Sequence, residues 1–112
     1  MFKRLLIANR GEVAVRILRA AQDLGIATVA VFSRDDAGAL HTQLADQTVA
    51  LEATGPAAYL DIAALIAAAH TTGCEAVHPG YGFLSERADF AQACTDAGLV
   101  FIGPTPAQLA LF

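Results

Sequence analysis

The 112-residue sequence predicts an α/β fold built on a parallel sheet. Three observations carry that reading. Short apolar runs alternate with stretches of helical period. The runs are continuous rather than alternating with polar residues, which suits strands covered on both faces. Glycines follow the helical stretches, where the chain has to stop and turn.

Leu5-Leu6-Ile7-Ala8 reads as the first buried strand. A helix follows from about Glu12 to Leu24. Val13, Ile17, Ala21 and Leu24 recur at helical spacing and are expected to face the sheet. Glu12, Arg16, Arg19 and Asp23 form the opposite, solvated face, with Arg19 and Asp23 spaced to pair at i,i+4. Gly25 supplies the stop. Ala27-Thr28-Val29-Ala30-Val31-Phe32, rich in β-branched residues, is the second strand. Ser33-Arg34-Asp35-Asp36 opens a polar loop read as solvated. A short helical turn is expected around Ala39–Ala45, then a third strand at Thr48-Val49-Ala50-Leu51. Glu52 to Ala58, with Gly55-Pro56, reads as a loop. Asp61 caps a helix through Ala69 that includes Ile62, Leu65 and Ile66, and Gly73 ends it. Ala76-Val77-His78 is the fourth strand and leads into Pro79-Gly80-Tyr81-Gly82. Ser85 is expected to cap a helix from Glu86 to Ala97, stopped by Gly98. Leu99-Val100-Phe101-Ile102 is the fifth strand. Thr105-Pro106-Ala107-Gln108 carries the signs of another helix start. So few residues follow it that the expectation is a fragment of a longer protein. The whole is a Rossmann-like, three-layer arrangement with helices on both faces.

Composition narrows the function. With 55% hydrophobic and 16% charged residues the chain suits one folded domain, not a disordered segment. It also leans apolar, which points to a surface that meets a partner or a neighbouring domain. The net charge is −4 and no basic patch stands out, which argues against a nucleic-acid partner. The apolar run between Arg4 and Asn9 is too short for a signal peptide, and Ile62 to Cys74 is too short to span a bilayer. A cytoplasmic protein with no membrane partner is expected. Cys74 and Cys94 are far apart and have no further cysteines beside them, as buried, reduced thiols would be; this argues against a zinc site.

In parallel sheets of this kind, functional loops follow the carboxyl ends of the strands. Asn9-Arg10-Gly11-Glu12 has one glycine where the dinucleotide fingerprint G-x-G-x-x-G needs three, so a turn held by Asn9 and Arg10 hydrogen bonds is the better reading. Asp35-Asp36 offers paired acids, but a phosphoacceptor site would need a further aspartate and a later lysine, and Lys3 is the only lysine. In the third loop, Gly80 and Gly82 free the backbone on either side of Tyr81, so a ring is held out at a tip. Such a ring suits a ligand, though loop tyrosines also plug gaps, and the residues alone leave both readings open. His78 reads as a satisfied structural histidine, and His41 and His70 as surface positions. Glu86 suits a helix start and sets a carboxylate beside the tyrosine loop.

Several segments occur in an order that resembles one family. They are Leu5 through Ile17, Gly25 through Val31, Leu40-His41 with Leu44-Ala45-Asp46, Tyr59-Leu60-Asp61-Ile62, His78 through Glu86, and Phe101-Ile102-Gly103-Pro104. Together they resemble the N-terminal, pre-ATP-grasp domain of biotin carboxylase over essentially the whole chain, 1–112. That domain is found in acetyl-, propionyl- and methylcrotonyl-CoA carboxylases and in pyruvate and urea carboxylases. The resemblance implies ATP-dependent carboxylation of biotin by bicarbonate with Mg²⁺, through carboxyphosphate, with biotin on a carrier domain or subunit. It implies as partners the enzyme's own ATP-grasp and C-terminal domains, the carrier, a carboxyltransferase and a second copy in a homodimer. Nucleotide, metal ligands and catalytic residues belong to the later domains. No catalytic or metal-binding residue is therefore expected here, nor activity or tight ATP binding by the fragment alone. By the same resemblance Gly80, Tyr81 and Gly82, with Phe83 and Glu86, line the biotin/bicarbonate pocket, and Arg16, Arg19 and Asp23 lie at the dimer interface. Two departures stand out. Arg87 replaces the usual Asn after Glu86, and Glu52–Ala58 differs from the family's Gly-Pro-Ala-Pro-like loop. The rival reading is a stand-alone interaction or small-ligand module of the same fold.

Overall fold

The computed structural model describes residues 2–103, so the helix start read at Thr105-Pro106-Ala107-Gln108 lies outside the described residues. Strands β1 (Arg4–Ile7), β2 (Ala27–Phe32), β3 (Gln47–Ala50), β4 (Ala76–His78) and β5 (Val100–Phe101) form one parallel sheet. Its order is β3-β2-β1-β4-β5. Helices α1 (Gly11–Asp23), α2 (Leu40–Leu44), α3 (Ile62–Thr72) and α4 (Ala88–Asp96) connect the strands, with short 3₁₀ turns at Arg34–Asp36 and Pro56–Leu60. The first, third and fifth strands thus begin or end a residue from where the apolar runs place them.

Alternation along β1 explains the three layers. Leu6 and Ala8 point into one core with Val29, Val31, Val77 and Leu65, while Leu5 and Ile7 point into a second core under α1. Burying both faces is what continuous apolar strands require. Asp61 caps α3 as expected, its side chain accepting from the Ala64 amide at 3.1 Å. Gly73, at φ +72°, ends that helix. Cys74 and Cys94 are buried free thiols, and burial pushes Cys94 up to about 11. Among the described residues no helix is long and apolar enough to cross a membrane.

Four expectations are corrected. First, α1 lays Ala14, Val15, Leu18 and Ala21 on the sheet, whereas Val13 and Ile17 are half-buried and Leu24 is 62% exposed. The stripe that packs is the one with two alanines, whose small side chains let the helix approach the strands closely. Second, α4 begins at Ala88, not Glu86, and Ser85 caps nothing. Gly82 (φ +68°) and Phe83 (φ +47°) turn the chain sharply, Ser85 N donates to Gly82 O and Arg87 N to Leu84 O, and Leu84 is swallowed into the core. The acid at the helix start is Asp89, paired with Arg87 at 2.6 Å. Third, His41 is 1% exposed, with Nε2 3.0 Å from the Val31 carbonyl oxygen, so it is a core residue. Fourth, the Ser33–Asp36 segment is not a solvated loop, because Asp36 is buried in an ion pair.

Candidate functional site

The sheet order reverses around β1: the chain runs outward through β2 and β3, then returns to place β4 on the other side of β1. The loops leaving β1 and β4 diverge there, and in open α/β sheets ligands bind at that crevice. Asn9 leaves β1 almost fully buried, at 2% exposure. Its Nδ2 donates to the carbonyl oxygens of Pro79 at 2.8 Å and Tyr81 at 2.7 Å, and its Oδ1 accepts from the Arg10 amide at 2.8 Å. The expected turn held by Asn9 and Arg10 is what forms.

Gly80 has φ +66°, and a Cβ there would lie 2.7 Å from both Asn9 Nδ2 and Val13 Cγ1, so only glycine fits. Its amide donates to His78 Nδ1 at 3.0 Å, which makes that nitrogen the acceptor and leaves the ring proton on Nε2. Burial lowers the His78 pKa and favours the same neutral ring. One ring nitrogen of His78 is therefore taken up within the loop, in line with the structural role that the sequence suggests. Tyr81, by contrast, is 80% exposed. Its ring borders an apolar groove of about 650 Å³ whose other walls include Val13, Ile17, His78 and Ile102.

A second network anchors the same edge. Arg10 grips Asp36 through two hydrogen bonds, Nε to Oδ2 at 2.6 Å and Nη2 to Oδ1 at 2.7 Å. The Tyr59 hydroxyl donates to Asp36 Oδ2 at 2.7 Å, and Ser33 Oγ donates to the same oxygen at 3.2 Å. The Arg10 guanidinium, aided by Tyr59 and Ser33, holds the Asp36 carboxyl far below the usual carboxylate range. So weak a base cannot take a proton from Ser33 or Tyr59, and burial raises the Tyr59 pKa further. The network is a brace between the first two loops, not a reacting centre. Sequence reasoning missed it, although an arginine after the first strand and an acid after the second fall on the same edge of a parallel sheet.

The remaining site residues are placed as follows. Phe83 turns inward and packs on Tyr59, ring centroids 5.5 Å apart, while Glu86 is exposed on the outer flank of the loop. Neither borders the groove beside Tyr81. Arg16, Arg19 and Asp23 share the exposed face of α1. The expected Arg19–Asp23 pair is not the one formed; among the described residues the ion pair on that face is Glu12–Arg16 at 3.6 Å, solvated and weak.

Fold and edge together define a Rossmann-like domain that displays a clamped aromatic loop and keeps its buried polar groups for structure. The chain belongs to the biotin carboxylase N-terminal domain family, whose model matches residues 1–109. It is 55% identical over 111 residues to the biotin carboxylase of Nostoc sp., covering 98% of this chain and 25% of that protein. It is 56% identical over 106 residues to the mitochondrial pyruvate carboxylase of Rattus norvegicus, covering 93% of this chain and 9% of that protein. Among solved structures, the biotin carboxylase domain of a single-chain bacterial carboxylase superposes with TM-score 0.95 at 62% identity, over 97% of this chain and 26% of that one. The biotin carboxylase domain dimer of Hydrogenobacter thermophilus 2-oxoglutarate carboxylase, in complex with MgADP, ADP and bicarbonate, superposes with TM-score 0.96 at 41% identity, over 99% of this chain and 24% of that one. The chain thus spans about a quarter or less of the length of these relatives.

Among the described residues no three His, Cys, Asp or Glu side chains gather, and the buried acid, Asp36, is already taken up by Arg10, Tyr59 and Ser33.

Proposed function

We propose that this chain is the N-terminal part of a biotin-dependent carboxylase, in which biotin is carboxylated by bicarbonate at the expense of ATP. The observation that supports this best is the Tyr81 loop: an exposed ring on a rigidly clamped turn at the switch point of the sheet. In this reading Tyr81, with Gly80 and Gly82, is one wall of the biotin/bicarbonate pocket. Phe83 supports the loop from within through Tyr59, and Glu86 sets a carboxylate on its outer flank.

Nucleotide and Mg²⁺ are held by the ATP-grasp and C-terminal domains, so the 112 residues alone are inactive. The exposed α1 face with Arg16, Arg19 and Asp23 meets a second copy of the enzyme. The carboxyl acceptor, whether acetyl-CoA, propionyl-CoA, pyruvate or urea, is chosen by a carboxyltransferase domain or chain, to which a biotin carrier delivers the group.

The test is ATP cleavage by the intact enzyme with bicarbonate present. Free biotin is expected to stimulate it. Cleavage indifferent to biotin, or absent from an intact and folded enzyme, rejects the reading.

A further inference from the structure

A tyrosine between two glycines is badly placed to hold a ligand. Glycine loosens the backbone, so the ring's position has to be fixed by bonds made elsewhere. Those bonds converge on one side chain. Asn9 Nδ2 uses its two hydrogens on the carbonyl oxygens of Pro79 and Tyr81, residues 70 and 72 positions away in sequence. With Gly80 N tied to His78 Nδ1, the peptide unit before Gly80 is pinned at both its carbonyl and its amide, and the unit after Tyr81 is pinned at its carbonyl.

Only an asparagine side chain does this. An aspartate has no donor, and a flipped amide would set Oδ1 against two carbonyl oxygens and Nδ2 against the Arg10 N–H. The clamp also fills the space that a Cβ on Gly80 would need. It does not drift with the loop, because the next residue, Arg10, is fastened to Asp36 on the far side of β1. Asn9 itself does not line the groove beside Tyr81.

We propose that Asn9 is the positioning residue of the Tyr81 loop, its buried amide fixing where the Tyr81 ring stands against the ring of biotin. This rests on the reading above that Tyr81 is a wall of the biotin pocket.

The test uses the intact carboxylase and free biotin, with Tyr81→Ala, Asn9→Asp and the double variant measured side by side. Asn9→Asp removes both donors and faces a carboxylate with two carbonyl oxygens. It is expected to raise the KM for biotin about tenfold, to leave the KM for ATP within about twofold, and to add little when Tyr81 is already alanine. If Tyr81→Ala raises the KM for biotin and Asn9→Asp does not, or if the two effects multiply independently, the positioning role is overturned while the pocket reading stands. If Tyr81→Ala itself leaves the KM for biotin unchanged, the pocket reading fails and the proposal falls with it. Should Asn9→Asp fail to fold, Asn9→Ser decides, since it keeps a donor without a charge. A rise of about threefold in the KM for biotin alone supports the role, and equal changes for biotin and ATP, or none, overturn it.

Discussion

At the scale of single residues, the two glycines around Tyr81 do different jobs. Both have positive φ, but a Cβ on Gly80 collides with Asn9 and Val13 whereas a Cβ on Gly82 meets open space. Gly82→Ala therefore carries only the backbone cost, about 1 kcal/mol. Gly80→Ala adds the collision and the disturbance of a buried amide, for a total of about 3 kcal/mol or more. Denaturant unfolding of the two variants checks the order; equal losses would mean that the clamp at Gly80 yields freely. The residue scale is also where the sequence is least legible. Asp36 looks like any loop acid until Arg10 and Tyr59 are brought to it from the ends of other elements. His41 looks like a surface residue because nothing local shows that the Val31 carbonyl oxygen will accept its proton. The tip at Tyr81 was legible, because a ring between two glycines is a local pattern with a local consequence.

At the scale of elements, apolar runs were enough to find the strands and the glycine stops were enough to end the helices. What periodicity left unresolved was rotation. Along α1 two neighbouring stripes are both apolar, Val13-Ile17-Ala21-Leu24 and Ala14-Leu18-Ala21, and the choice between them depends on how closely the helix can approach the sheet. The choice has a measurable consequence. Leu18 is fully buried, so Leu18→Ala is expected to cost about 2–5 kcal/mol. Leu24→Ala, at a position 62% exposed, is expected to stay within about 0.5 kcal/mol. Comparable losses from both would restore the stripe that sequence spacing favours. The delayed start of α4 has a similar origin: a phenylalanine at φ +47° is not foreseeable from residue type, and it moves the helix start past Ser85 and Glu86.

At the scale of the whole molecule, the sheet order gives the domain one edge for a ligand and leaves the outer face of α1 to solvent. An exposed stripe of Arg16, Arg19 and Asp23, with only the weak Glu12–Arg16 pair upon it among the described residues, is available for charge pairing with a second copy. Arg16→Glu combined with Arg19→Glu in the full enzyme is expected to shift its sedimentation from dimer towards monomer. An unchanged profile would remove these residues from the interface. Neither the proposed dimer nor the proposed pocket can be read from composition; both are expectations from ordered motifs that resemble a family. What the fold adds is a clamp that holds an exposed ring at the switch point. The measurement that bears on it most directly is the steady-state kinetics of Tyr81→Ala in the intact enzyme, with free biotin and ATP varied separately. A rise in the KM for biotin well beyond any change in the KM for ATP is the predicted result, and equal changes in both, or none, would contradict the assignment of Tyr81 to the biotin pocket.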